Sequence, residues 1–253
     1  MPAFCYNEIK KLSLEFLYAS LAGLAFVTSL ITAVIGMGGG VLLLAILPSF
    51  VPPSALIPVH GAVQLSSNIS RFLFDIRSTC FTALVQFLVG SIIGAYFGSQ
   101  LFNEIDFSIL PLLISSFILF VLWFPIEKVM SKIPGKYFSL GIVQTSLALY
   151  VGATGPLSTS ILIRDGYKPR EVIVTNAAIN TIINIFKIVV FIYLGFVFYD
   201  FVLHVIVMSI FAIIGSYVGT RLRIGIDVIL ARKVLIGVIT IVCLKNIVIY
   251  LVG

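Results

Sequence analysis

The chain alternates between long apolar runs and short polar loops, and this pattern predicts ten helical segments. A helix needs about 20 residues to cross the roughly 30 Å of hydrocarbon in a bilayer, and eight of the runs approach that length. The other two, 39–49 and 155–164, are too short to cross alone. The predicted segments are 13–36, 39–49, 53–72, 78–101 and 108–124 in the first half, and 137–152, 155–164, 169–196, 201–222 and 230–251 in the second.

The two halves of the chain repeat each other. Residues 36–72 align without a gap over residues 152–188, so that Gly36 meets Gly152 and Asn68 meets Asn184. Further on, the GxxxG spacing at 94–98 recurs at 215–219, and these glycines are typical of closely packed membrane helices. Because each half has an odd number of segments, the second half is expected to be inverted relative to the first. Such an inverted repeat points to alternating access.

These patterns predict an all-α integral membrane protein, an inverted-repeat transporter with about eight full transmembrane helices and two short half-helix or re-entrant segments. Re-entrant backbone is tolerated at membrane depth only where protein or a water-filled cavity surrounds it. The predicted organisation is an N-terminal extension (1–12), a first repeat (13–126), a basic inter-repeat loop (127–136) and a second, inverted repeat (137–253).

Composition supports the membrane interpretation. Hydrophobic residues make up 60% of the chain and charged residues 10%, against about 25% charged in soluble domains. The mean hydropathy is +1.18. These values exclude a water-soluble domain, a disordered chain and a nucleic-acid-binding protein, and they make the lipid bilayer the expected surroundings.

The basic residues predict the orientation in the membrane, because Lys and Arg concentrate in cytoplasmic loops. If the chain starts outside and every segment reverses direction, twelve Lys and Arg residues fall on one face and only Lys10 and Lys11 on the other. We therefore expect a multi-pass protein of the cell membrane, in which both termini are extracytoplasmic.

Two glycine-rich breaks precede the short segments, and both are candidate anion sites. A helix that starts inside the membrane presents unsatisfied backbone N–H groups and the positive end of its dipole. The candidate residues are Gly38, Gly39, Gly40, Thr154 and Gly155. The alternative is that these glycines only allow helices to pack closely.

The third segment of each half carries a stripe of polar residues at helical spacing. Polar groups in hydrocarbon are costly without partners, so both stripes should face the interior and line one cavity. Hydrogen bonding between helices without any ligand is the alternative. Arg71 and Lys187 end the stripes and are candidates for balancing the charge of a substrate, unless they extend toward the interface. The stripe residues are His60, Gln64, Ser67 and Asn68, and Asn176, Asn180 and Asn184.

Other chemistries find little support in the sequence. All ten Asp and Glu residues lie in loops or near segment ends, which argues against cation transport. We see no catalytic motif and no Cys/His cluster, so we expect no enzyme activity, no metal and no cofactor. The rival hypotheses are an anion channel on the same scaffold, a thiol–disulfide carrier and a structural subunit. A homo-oligomer is compatible with each of them.

Several of these motifs resemble the TauE/SafE sulfite exporter family, also called the 4-toluene sulfonate uptake permease family. They are GMGGG with the following LLLAILP, PPSALIPVHGAVQLSSNISRF, GATGPLSTSILIRDGY, TNAAINTIINIFKI and the paired GxxxG ends. The resemblance covers nearly the whole chain. It implies a secondary transporter of the cytoplasmic membrane that moves sulfite, sulfonates or related small sulfur anions.

The resemblance also implies which positions form the site. These are the glycines of both breaks and the polar helix faces, namely Gly36, Gly38, Gly39, Gly40, Gly152 and Gly155, and His60, Gln64, Asn68, Asn176, Asn180 and Asn184. The second break reads TGP where the first reads GGG, so the two half-sites are not equivalent.

Overall fold

The computed structural model describes residues 3–100, 107–124, 135–222 and 228–252. Within these ranges the chain forms ten α-helices, joined by turns and short 3-10 segments, and no strand. In chain order they are α1 (Ala3–Ile35), α2 (Gly39–Ile46), α3 (Leu56–Phe74), α4 (Phe81–Gln100), α5 (Leu110–Trp123), α6 (Lys136–Val151), α7 (Gly155–Arg164), α8 (Pro169–Tyr193), α9 (Val202–Arg221) and α10 (Val228–Val252).

Five helical spans are long and apolar enough to cross a membrane. They are Leu14–Ile35, Phe81–Gln100, Pro169–Tyr193, Phe198–Arg221 and Leu230–Val252. Helices suit this environment because every interior backbone group finds its partner within the segment, where no water is available. The prediction of an all-helical, multi-pass membrane protein is therefore confirmed.

Each of the ten predicted segments corresponds to a helix, but some boundaries differ. Helix α1 begins at Ala3, so it includes most of the segment 1–12 that the sequence analysis treated as an extension. Helix α5 has 14 residues and α6 has 16, both fewer than the roughly 20 of an untilted crossing. Residues 125–134, which hold most of the predicted inter-repeat loop, lie outside the described residues.

Two helix pairs pack with their backbones in contact, α4 with α6 and α1 with α9. A Cβ added at Gly90 of α4 would lie 2.0 Å from the carbonyl oxygen of Phe138, and one at Gly215 of α9 would lie 2.3 Å from that of Phe26. Neither distance is possible for a real side chain. The glycine spacing noted in the sequence therefore sets how closely these helices approach.

Helices α3 and α8 occupy the centre of the bundle. They pack against each other, α3 also packs against α9, and α8 packs against α4. The polar side chains of His60 and Gln64 on α3 and of Asn176 and Asn184 on α8 are no more than 6% exposed. Both polar stripes thus lie inside the protein, which is where the candidate site must be sought.

We expect Gly90→Ala to lower the free energy of unfolding by about 1–3 kcal/mol, because the added methyl group must push α4 away from α6. Thermal or chemical unfolding of the purified protein in detergent measures the change. Gly23→Ala on α1 is the matched control, since a Cβ there meets nothing within 4 Å. Equal stability of the two variants would contradict close α4–α6 packing.

Candidate functional site

Both short helices begin at a break that a glycine makes possible. Helix α2 starts at Gly39 after Gly36, which has a φ of +92°, and α7 starts at Gly155 after Gly152, which has a φ of +72°. L side chains rarely adopt such angles, so glycine is required at these two aligned positions. The result is two helix starts in the interior of the bundle, each at the end of a longer helix.

The two helix starts border one cavity of about 40 Å³. A water molecule needs roughly 10–15 Å³ measured in this way, so the cavity has room for a few waters or a small anion. Its lining combines both breaks with both polar stripes. The lining residues include Gly38, Gly40, His60, Gln64, Asn68, Arg71, Gly152, Gly155, Pro156, Asn176, Asn180 and Asn184.

Amide side chains lie directly against both helix starts. A Cβ at Gly40 would lie 3.1 Å from Oε1 of Gln64, and one at Gly155 would lie 3.2 Å from Oδ1 of Asn180. Gln64 and Asn180 occupy equivalent positions in the sequence repeat. The glycines therefore keep open the space in which an amide group and a helix start can contact the same ligand.

One of these amides has an unused donor. The Gln64 side chain is 4% exposed, and its Nε2 atom has no hydrogen-bond partner among the described residues. A buried N–H without an acceptor costs about 1–3 kcal/mol. Because Gln64 lines the cavity, an acceptor within the cavity would satisfy this group.

Hydrogen bonds hold the α8 stripe in place. Oδ1 of Asn176 accepts from Oγ of Ser158 at 2.6 Å and from Nδ2 of Asn180 at 3.0 Å. The amide of Gln144 on α6 in turn donates to Oγ of Ser158 at 3.1 Å and to the carbonyl of Thr154 at 2.9 Å. This network fixes the orientation of Asn176 and Asn180, and the bond from Gln144 to the Thr154 carbonyl stabilises the backbone of the second break.

The polar stripes predicted from the sequence do not include Gln144 and Ser158. Gln144 is fully buried on α6, and Ser158 lies on α7. Gln144 is followed by Thr145 and Ser146 within an apolar run. These three consecutive polar residues were the available signal, because a polar group at membrane depth requires a partner.

A buried lysine joins the two halves of the site. Lys187 is completely buried on α8, and its Nζ atom donates to the carbonyl of Gly152 at 2.8 Å and to Oδ1 of Asn184 at 3.2 Å. The same atom lies 3.4 Å from Nδ1 of His60, whose Nε2 is 2.9 Å from the carbonyl of Gly40. Lys187 and His60 therefore connect the first break to the second.

The electrostatic character of the cavity is cationic. Arg71 lines it, is 3% exposed, and donates through Nη2 to Oδ1 of Asn68. Among the described residues that line the cavity there is no Asp or Glu. The ion pairs that the structure describes, Lys136–Asp165 and Arg170–Asp75, lie at helix ends.

Five residues of the predicted site do not line the cavity, and one of them, Gly36, borders a larger neighbouring chamber instead. Gly39 permits contact with α1, since a Cβ there would lie 1.8 Å from the carbonyl oxygen of Thr28. The hydroxyl of Ser67 is bonded to Ser216 on α9 at 3.0 Å. The remaining two are Thr154, whose carbonyl and hydroxyl both face Gln144, and Lys187, which lies behind His60 and Asn184.

A larger chamber of about 770 Å³ lies on one side of the cavity. Met37, in the first break, lines both spaces. The chamber is bordered by apolar side chains and by Asp75, Tyr167, Arg170 and Arg232. Met37 therefore lies where the small polar cavity adjoins the larger chamber.

The two cysteines whose side chains are described lie outside the cavity lining. Cys243 is fully buried, while Sγ of Cys80 lies 2.9 Å from the hydroxyl of Tyr167. This hydrogen bond, with burial, raises the pKa of Tyr167 to about 12. Tyr167 therefore keeps its proton at neutral pH, and its hydroxyl group can donate to the sulfur.

We expect Gln64→Leu to raise the free energy of unfolding by about 1 kcal/mol, because Leu removes a buried N–H that lacks a protein partner. Unfolding of ligand-free protein in detergent measures the change. Gln86→Leu, at an exposed position on α4, controls for the substitution itself. A loss of several kcal/mol in Gln64→Leu would instead show that Gln64 is a structural link between helices.

No curated protein and no solved structure matches the chain. A family model does match, and it covers residues 21–246, which include all the residues that line the cavity. That model describes the sulfite exporter TauE/SafE. The chain belongs to this family of membrane transporters.

Proposed function

We propose that this protein carries small sulfur-containing anions, such as sulfite or organosulfonates, across the cell membrane by alternating access. The observation that carries the proposal is the central cavity. Two interior helix starts, two polar stripes and a buried arginine border it, and no carboxylate is among its described lining residues. Family membership supports a sulfur anion as the substrate.

The proposed site replaces the water that an anion loses on entering the membrane. Backbone N–H groups at the starts of α2 and α7 lie at positive dipole ends, each equivalent to about half a charge. Nε2 of Gln64 supplies a further donor without a protein partner. Arg71 balances the charge of the anion. No carboxylate among the described lining residues competes with the anion for this charge.

The proposed inverted repeat is supported by the helix contacts. If α1 to α5 are exchanged with α6 to α10, the contact of α1 with α9 becomes that of α6 with α4, and both pairs exist. In the same way, the contact of α3 with α9 becomes that of α8 with α4. In this proposal α3, α5 and α6 complete about eight crossings, while α2 and α7 remain half-helices.

The proposed access path runs through the chamber beside Met37. Its charged residues, such as Arg170 and Arg232, belong to the face that carries most Lys and Arg and is therefore assigned to the cytoplasm. Beyond the cavity, the chain continues through Leu43 and Leu44 of α2 and Leu47 of the following 3-10 turn, and all three side chains are fully buried. We infer that the described state faces the cytoplasm and that both termini lie outside.

Sulfite, thiosulfate or methanesulfonate should raise the unfolding temperature of the purified protein, because a ligand that binds the folded state stabilises it. Gln64→Leu should weaken this binding roughly tenfold or more, because Nε2 of Gln64 is a cavity-lining donor without a protein partner among the described residues, and a hydrogen bond to a charged group contributes about 1.5–3 kcal/mol. Gln86→Leu should behave like the wild type. Absence of stabilisation by every sulfur anion tested would contradict the proposal.

Reconstituted protein should exchange labelled sulfite against unlabelled sulfite across the vesicle membrane, because a carrier returns its loaded site faster than its empty one when substrate is present on both sides. Counterflow in proteoliposomes measures this exchange. Vesicles without protein provide the control for leakage. Flux that rises without saturation and shows no counterflow would identify an anion channel instead.

A further inference from the structure

The buried ammonium of Lys187 has no carboxylate partner among the residues that the structure describes. Its described partners are the carbonyl of Gly152, Oδ1 of Asn184 and Nδ1 of His60. All three of these residues line the cavity, so Lys187 lies one layer behind the space in which an anion would bind. A buried ammonium that meets only neutral groups is stabilised by any negative charge placed on the other side of them.

The described charged groups of the elements around Lys187 give it no carboxylate counter-ion. Helices α3, α4, α6 and α7 and the 76–78 turn pack against α8, and of their titratable groups His60 faces Lys187. Glu171, the acidic residue of α8 itself, is 16 positions away, which is about 24 Å along the helix. The remaining titratable or charged groups of these elements are Asp75, Tyr96, Lys136, Tyr137, Tyr150, Arg164, Arg77, Arg170 and Tyr193, together with Arg71 in the cavity wall.

The hydrogen bonds also indicate which ring nitrogen of His60 carries the hydrogen. Nε2 of His60 lies at the carbonyl of Gly40, an acceptor, so this nitrogen carries the imidazole hydrogen. Nδ1 is then free to accept from Lys187. His60 is neutral in this arrangement, and the group able to gain or lose a charge is the amine of Lys187.

The repeat places two different cations at equivalent positions. Lys187 aligns with Arg71 of the first half. An arginine stays protonated under all physiological conditions, whereas a buried lysine can exist as a neutral amine. One half of the site therefore has a fixed positive charge, and the other has a positive charge that depends on its surroundings.

We infer that Lys187, positioned by His60, is a proton-binding site that fills when an anion occupies the cavity and empties when the anion leaves. The inference rests on the proposed anion transport and specifies its coupling. On anion entry the neutral amine takes one proton from a hydronium ion, so that an O–H bond of that ion breaks, the N–H bond forms and a water molecule is left. On release the same proton returns to water, so anion and proton cross the membrane together.

The linkage between proton binding and anion binding determines how the anion affinity changes with pH. Because each ligand must strengthen the binding of the other by the same factor, anion affinity is highest where Lys187 is already protonated. At higher pH Lys187 of the empty site is neutral, and the apparent affinity falls about tenfold for each further pH unit. A permanently charged side chain at this position removes that dependence.

Calorimetric titration of the wild-type protein with thiosulfate, in buffers of different ionisation enthalpy, tests the inference directly. Thiosulfate stays fully ionised near neutral pH, so any proton taken up belongs to the protein. We expect an uptake that approaches one proton per anion as the pH rises, with the loss of affinity stated above. Binding of thiosulfate without proton uptake and without pH dependence would overturn the proton site and leave anion transport intact.

The variant Lys187→Arg assigns the proton to this residue. It should bind thiosulfate with no proton uptake and with an affinity that is flat with pH, and an acid-outside gradient should no longer drive thiosulfate accumulation in proteoliposomes. Lys245→Arg, at an exposed position on α10, should match the wild type. Undiminished proton uptake in Lys187→Arg would place the proton elsewhere and overturn the assignment.

The wild-type titration tests both the proton site and anion binding, even if Lys187→Arg fails to fold. Absence of thiosulfate, sulfite and methanesulfonate binding in the wild type would reject the proposed function, and the proton site would be rejected with it. The two failures are distinguishable, because one removes all binding heat and the other removes only its dependence on the buffer.

Discussion

The requirement that every backbone polar group in a membrane interior find a partner governs this structure. Ordinary helices meet it within themselves, but a helix break exposes carbonyl and N–H groups that no water can reach. Here the carbonyls at the breaks are satisfied by side chains: Gly152 by Lys187, Gly40 by His60 and Thr154 by Gln144. The first residues of the helices that follow the breaks, Gly40 of α2 and Gly155 of α7 among them, line the cavity. The same constraint thus explains the polar residues of the central helices and the affinity for anions that we propose.

Much of the fold follows from two features of the sequence. The lengths of the apolar runs predict ten helices, and the duplicated glycines locate both breaks at Gly36 and Gly152. Run length does not determine where a helix ends, because that depends on local turns. A 3-10 turn precedes α5, so this helix is shorter than its apolar run. Helix α6 ends where Gly152 adopts a positive φ.

Helical periodicity predicts which residues of one helix share a face, and this part of the cavity lining was predictable from the sequence. Spacing of three and four residues puts His60, Gln64 and Asn68 on one face, and they do line the cavity. Periodicity cannot say which neighbouring helix a polar residue will meet. For this reason the sequence predicts Ser67 as a site residue, although its hydroxyl is bonded to α9. It does not predict Gln144, whose role depends on its bond to α7. Lys187 could be read as reaching the interface, and only the packing of α3 on α8 shows that it is enclosed.

The two breaks differ in backbone freedom although their sequences align. In the first, Gly38 has a φ of +92° immediately before α2, whereas Thr154 at the aligned position has a φ of −115° and is followed closely by Pro156. Proline fixes its own φ and restricts the residue before it, so the second break is the stiffer of the two. A bend of the backbone therefore costs less in the GMGGG segment than in the GATGP segment.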